Sequence, residues 1–342
     1  MANLKQKRVS VSDVAKAAGV ARATAAFALS GTASRVGLSQ ATVKRIEAMA
    51  KAMNYVPNKV ARSLISSRSE VIGVLLAGLW GKYAQKVVEG VREVLDGKGY
   101  VPMVTIHSWE EAREKHELDL LMQMRADAII IQPQPSSRAE LYKTVVANNV
   151  PLVFLGDAPG DMPHAHAVVW DGRAAAHRAL DYLVSKGRRR IGFIGQQYPF
   201  HYNQARFRGY REFLQAHKLP ENGRWEIWEE MAGGLPEAMV ELFASKKGRP
   251  DAFLAMNDTC ALDAAAWLIE HGIGVPEEVA IVGLGDCTET VDSTAFITSV
   301  REPLHEMGRE AAMLALDLID HSPKKAVRRI LPGDELVERR SS

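Results

Sequence analysis

Apolar and polar positions follow two different rhythms along the 342-residue chain, and the change comes near Val71. Before it, apolar residues recur at helical spacing. "SDVAKAAGVARATAAFALSG" places Val14, Ala15 and Ala18 on one face, breaks at Gly19, and resumes with Ala25, Ala28 and Leu29 on a second helix from about Arg22 to Ser30. Ser12 is placed to cap the first helix. A third helix begins at Ser39, and its Val43, Ile46, Met49, Ala50 and Met53 form a stripe that covers the first two. The alanine-rich opening is too small to bury a core of its own. It therefore presses against this third helix and leaves its outer face free.

After Val71 the pattern changes to apolar runs separated by amphipathic helices. "VIGVLLA", "VPMVTI", "AIIIQ", "PLVFL", "AVVW", "RIGFIG", "AFLAMN" and "VAIVGLG" read as buried parallel strands. Ala84 to Leu95, Ala174 to Ser185 and Thr259 to Glu270 read as helices between them. About eight core strands exceed one small sheet, so the pattern predicts two doubly wound lobes. Ligands in such folds bind beyond the carboxyl ends of the strands. That rule singles out Asp171 after "AVVW", Asn257 and Asp258 after "AFLAM", and Asp286 after "VAIVGLG".

Charge separates the two regimes further. The formal net charge of +2 conceals a head, residues 1–68, with 12 Lys and Arg against only Asp13 and Glu47, a net +10; the remainder carries −8. A cationic head on an anionic body fits a protein that lays one end on a polyanion. Between them, "VPNKVARSLISSRSE" holds Pro57, a short helical pattern from Asn58 to Leu64, and a Ser/Arg linker with few apolar anchors, so ordering on binding is expected there.

The remaining features narrow the class. No stretch reaches the roughly 18 apolar residues of a membrane span, and no export signal follows the basic start, so the cytoplasm is the expected compartment and no membrane partner is expected. Cys260 and Cys287 match no metal spacing and read as buried thiols in a reducing compartment. An enzyme of the nucleotide-binding type would carry G-x-G-x-x-G or G-x-x-x-x-G-K-S/T, and neither occurs; no nucleophile elbow or zinc motif occurs either. No enzymatic activity, cofactor or metal is expected. A sugar-binding transport protein shares the two-lobed body but has no use for the cationic head.

Taken together, "VSDVAKAAGV", "NYVPNKVARSL", "IGV", "ARFRGY", "AMND" and "LPGDELVER" occur in an order and spacing that resembles the LacI/GalR family of transcription regulators, over nearly the whole chain. The resemblance implies an all-α helix-turn-helix head (1–56), a hinge helix and linker (57–69), and a periplasmic-binding-protein-like α/β body (70–342) of two doubly wound parallel-sheet lobes. The first lobe is expected to span about 70–170 and 298–325, the second about 171–297 and 326–340. It further implies a homodimer on double-stranded operator DNA, expected to repress and to respond to a small-molecule effector, most often a sugar.

Carried residue by residue, the resemblance assigns the second helix to the major groove. Arg22 is the candidate for gripping O6 and N7 of a guanine, with a phosphate clamp as the alternative, and Ala23 can touch a thymine methyl. Phe27 stands where relatives carry a hydrogen-bonding side chain, and either packs on a thymine methyl or joins the core. Ser10, Ser12 and Thr24 fall at phosphate-contact positions. The loop "SGTASRVGLS" is longer than usual and carries Arg35. Asn58, Ala61, Arg62 and Leu64 match the hinge motif, with Leu64 as the wedge between base steps.

At the ligand end Arg206 matches the effector-binding arginine, and Trp228 falls near the pocket aromatic. The first loop, "AGLWGKYAQ", offers Trp80 and Tyr83 and an unusual Lys82 that either meets an acidic sugar or phosphate or faces solvent. Gly285 replaces an aspartate common in sugar-responsive relatives. A carbohydrate effector is expected, with a purine or an acidic or phosphorylated sugar as the alternatives.

Overall fold

A computed structural model describes residues 9–56, 68–79, 81–196, 201–229, 237–244, 248–287, 296–321 and 325–342. Asn58, Ala61, Arg62, Leu64 and Trp80 lie outside these residues. The chain divides into a head, Met1–Glu70, and a body, Val71–Ser342.

In the head, α1 (Val11–Ala17), α2 (Arg22–Leu29) and α3 (Gln40–Ala52) enclose Val14, Ala15, Ala18, Ala25, Ala28, Ile46 and Ala50. Small residues on α1 and α2 let the helices approach closely, and Gly19, with φ +62°, makes the left-handed turn between them. A single 3₁₀ turn, Ala33–Val36, occupies the long loop before α3. Ser10, rather than Ser12, caps α1: its side chain accepts from the Asp13 amide while the Asp13 carboxylate accepts from the Ser10 amide. This reciprocal capping box starts the helix two residues earlier and leaves Ser12 exposed within its first turn.

The body contains two six-stranded sheets. The first has the order β11-β5-β4-β3-β1-β2, from β1 (Val71–Leu76), β2 (Val101–Ile106), β3 (Ala128–Ile131), β4 (Leu152–Leu155), β5 (His166–Trp170) and β11 (Arg328–Leu331), all parallel. The second has the order β12-β10-β9-β8-β6-β7, from β6 (Ile191–Gln196), β7 (Glu226–Glu229), β8 (Ala252–Ala255), β9 (Ala280–Gly285), β10 (Thr298–Arg301) and β12 (Leu336–Val337), with only β12 antiparallel. The central strands are buried along nearly their whole length because helices cover both faces, which is why they read as unbroken apolar runs. Edge strand β2 keeps Val101 and Val104 exposed.

Helices α4 (Gly81–Leu95) and α11 (Leu304–Asp320) pack together on the first lobe, and α5 (Glu111–Gln123) packs with α6 (Ala139–Ala147) in the same lobe. Around the second sheet lie α7 (Gly172–Ser185), α8 (His201–Ala216), α9 (Glu237–Phe243) and α10 (Asp258–Glu270). The lobe boundaries differ from the expected ones. Segment 298–301 pairs with β9 in the second sheet, and 328–331 pairs with β5 in the first. The chain therefore crosses between lobes three times, at 171, at 302–303 and at 332–335. Among the described residues no helix is long and apolar enough to cross a membrane.

Candidate functional site

The head offers a surface for a polyanion. Arg22 and Ala23 open α2 with exposed side chains, while Thr24 and Phe27 are half-buried. Phe27 is not among the side chains packed on the head core, which favours the outward of its two readings. Ala21 provides no side-chain cap, so the first-turn amides of α2 stay open to an outside acceptor. Lys16, Lys44, Arg45 and Lys51 are also exposed. The hydroxyl of Ser10 is engaged with Asp13 at 2.6 Å.

In the body, a cavity of about 770 Å³ opens between the lobes at the carboxyl ends of the strands. Its second-lobe side is organised around Arg206 on α8, which is 5% exposed. The guanidinium stacks over the Trp170 ring at 4.8 Å, Nη1 donates to the Met256 carbonyl at 2.5 Å, and Nη2 lies 3.5 Å from Glu302 Oε2. Gly172 admits this side chain, since a Cβ there would touch the Arg206 stem. Asn257 caps α10 by accepting from the Cys260 amide at 2.8 Å. Asp258 is buried, with Oδ1 accepting from Ser299 Oγ at 2.5 Å and Oδ2 from the Cys287 amide at 2.8 Å. Burial raises the Asp258 and Glu302 carboxyls above the usual range, against the lowering influence of Arg206.

Tyr83, Arg206 and Asn257 thus line the cavity together, as the sequence predicts. Three expected residues do not join them among the described lining. Asp171 spends its carboxylate on the α7 cap, accepting from Ala174 N at 2.9 Å. Asp286 has both oxygens taken, by Arg301 at 2.8 Å and Arg339 at 2.6 Å, and ties β9 to β10 and the chain end. Trp228, on β7, packs against Phe193 and Phe207 in the second-lobe core. Lys82 is absent from the lining too; its backbone amide donates to Cys287 O across the lobes. Asp258, which the strand-end rule also singled out, lines the cavity, together with Trp109, Gln132, Trp170 and Glu302, which the sequence reading did not name as ligands. Arg206 is the one cation among the described lining residues, which also include the carboxylates Asp157, Asp258 and Glu302; Asp157 is paired with Arg328.

Residues 10–58 match the model of bacterial regulatory proteins of the lacI family, and residues 180–342 match that of the periplasmic binding protein-like domain. Full-length relatives agree. The transcriptional regulator GalR of Salmonella typhimurium is 27% identical over 97% of this chain and 95% of its own length. The transcriptional repressor PurR of Aliivibrio salmonicida is 24% identical over 97% and 98%. The chain belongs to the LacI family. Among solved structures, the regulator CelR in complex with cellobiose is 25% identical, with a TM-score of 0.69 over 98% of this chain and 100% of that one. A lac repressor dimer bound to operator and the anti-inducer ONPF shares the fold at 23% identity, with a TM-score of 0.79 over 98% and 99%. This LacI-family chain is a helix-turn-helix transcriptional regulator with an effector-binding body.

Proposed function

We propose that this LacI-family regulator binds an operator as a homodimer and releases it when a neutral carbohydrate occupies the cavity between the lobes. The composition of that cavity carries the reading. Tyr83, Trp109 and Trp170 supply aromatic faces for the C–H side of a sugar ring, and Asn257, Gln132 and Glu302 supply hydrogen-bonding groups for hydroxyls. The single described cation, Arg206, is already committed to Met256 O and Glu302. That arrangement disfavours a phosphorylated or acidic sugar, which needs a cation free to meet it. The volume of about 770 Å³ lies in the upper part of the ~300–1,000 Å³ range of small-molecule pockets and accommodates more than one ring. The bound cellobiose of the CelR structure is consistent with this class.

Thermal-shift titration against neutral mono- and disaccharides, sugar phosphates and purines tests the assignment. A neutral sugar should raise the melting temperature and weaken operator retention in a gel shift. Stabilisation by sugar phosphates or purines alone overturns it. Light scattering should give two chains per particle, and four would contradict the dimer.

A further inference from the structure

The first-lobe wall of the cavity contains a construction that neither the family assignment nor the charge pattern explains. Ser108 and Trp109, directly after β2, both adopt left-handed backbone, with φ +53° and +61°. Two successive non-glycine residues in that region are costly and persist only where their surroundings fix them. What fixes them is His107, which is fully buried. Its Nδ1 accepts from the Trp109 amide at 3.2 Å, and its Nε2 lies 2.9 Å from the Gln132 carbonyl oxygen. The first bond requires Nδ1 to be bare, so Nε2 carries the proton and donates to Gln132. One neutral tautomer satisfies both partners.

The clasp extends on both sides. The rings of His107 and Trp109 meet edge to face at 5.8 Å. Gln134 Nε2 donates to the Trp109 carbonyl at 3.3 Å, and Gln132 Oε1 accepts from Ala77 N at 3.2 Å, returning the frame to the end of β1. Trp109, Gln132 and Gln134 all line the cavity, whereas His107 lies behind them. Burial also lowers the basicity of the His107 ring, in keeping with its neutral state.

We infer that Trp109 is a specificity-determining aromatic platform of the effector site and that His107 is the positioning residue that holds it in place. This rests on the carbohydrate reading above. A flat indole fixed at one wall favours ligands that present an apolar ring face, and a floppy indole loses part of that gain to ordering.

Two histidine replacements separate the halves of the clasp. Asn at 107 places an amide oxygen near the Nδ1 position and keeps the acceptor for the Trp109 amide. Gln places its amide nitrogen near Nε2 and keeps only the donor to Gln132. The probe is whichever neutral mono- or disaccharide of the thermal-shift panel, glucose, galactose and cellobiose included, gives the largest thermal shift with the full-length protein, with affinities read by calorimetry. Trp109→Ala should bind it about tenfold or more weakly, Trp109→Phe should recover most of the loss, and His107→Gln should resemble Trp109→Ala. His107→Asn should stay near wild type. All four should keep operator binding in the absence of sugar. Nitrogen-15 histidine spectra of the wild type should show the Nε2–H tautomer, independent of any sugar. Wild-type affinity in Trp109→Ala, equal losses in His107→Asn and His107→Gln, or an Nδ1–H tautomer each overturns the inference while leaving the carbohydrate reading intact. Failure of every neutral mono- and disaccharide of the thermal-shift panel to bind the wild type instead removes the carbohydrate reading, and the platform with it.

Discussion

Arg206 holds together groups from three parts of the chain: the end of β5 through Trp170, the end of β8 through Met256, and the second lobe crossing through Glu302. Arg206→Ala should therefore abolish the effector response in a gel-shift titration while leaving ligand-free operator affinity nearly unchanged. It should also lower body stability by ~3 kcal/mol, because Glu302 is left buried without its cation. Adding Glu302→Gln should recover part of that stability but none of the response. A double variant that still answers effector would remove Arg206 from the site. Glu114, at 0% exposure, provides a second test. It accepts from Tyr142 Oη at 2.6 Å, Ser137 Oγ at 2.5 Å and Gln134 N, and burial raises its carboxyl against the lowering by those bonds. A raised carboxyl binds its proton more tightly folded than unfolded, so its contribution is fully present below the ordinary carboxylate range and is lost as pH rises through the raised value. The melting temperature of wild type relative to Glu114→Gln should thus fall as pH rises above the ordinary carboxylate range; a flat or rising difference would contradict it. At this scale the sequence rule for strand ends found Asn257 and its neighbour Asp258, and the family motif found Arg206. Asp171 and Asp286 obey the same rule, yet a helix cap and two arginines distant in sequence claim them. No local pattern records such partners. Trp109, three residues after β2, obeys the rule as well and was legible; Glu302 was not, since its neighbourhood exists only once the lobes meet.

At the scale of elements, α4 and α11 cross so closely that glycine is required on both sides. A Cβ at Gly308 would collide with the Val87 carbonyl oxygen, and one at Gly90 with that of His305. These helices also begin beside the cavity: Tyr83, in the first turn of α4, lines it, and α11 starts just after Glu302. Gly308→Ala should cost ~1–3 kcal/mol of body stability by forcing the pair apart. Gly223→Ala, which meets open space, should stay within about 0.5 kcal/mol. Chemical denaturation of both variants checks the contrast, and equal effects would contradict the packing argument. The long buried strands and amphipathic helices were readable because their periods are strong. Strand β7, Glu226–Glu229, begins and ends on glutamate and so shows no apolar run, β12 has only two residues, and β10 and β11 sit next to the crossings. Assigning those two to lobes demands the strand pairing itself. Similarly, Ser10 and Ser12 are both chemically able to cap α1, and the reciprocal bond with Asp13 decides between them.

For the whole molecule, charge and connectivity set the behaviour. Concentrating +10 on residues 1–68 makes operator binding a matter of counterion release. If each dimer meets six or more phosphates, affinity should drop roughly a thousandfold between about 50 and 200 mM salt, and a single half-site should show about half the slope. A flat salt profile would contradict the electrostatic account. The effector acts in the body, where the chain crosses three times between the lobes and a ligand in the cavity would touch both. Only a difference in its affinity for two orientations of the lobes can shift the equilibrium, typically by ~1–3 kcal/mol. Residues 57–67, which the family resemblance assigns to the hinge between head and body, lie outside the described residues. Operator binding and effector binding should then be separable by mutation. The family resemblance gives Leu64 the role of a wedge that offsets the bending of the duplex, which Leu64→Ala would remove. That substitution should weaken specific operator binding while calorimetric affinity for the effector stays at the wild-type value, the reverse of Arg206→Ala. Loss of effector affinity in Leu64→Ala would mean that head and body do not communicate through the connector alone.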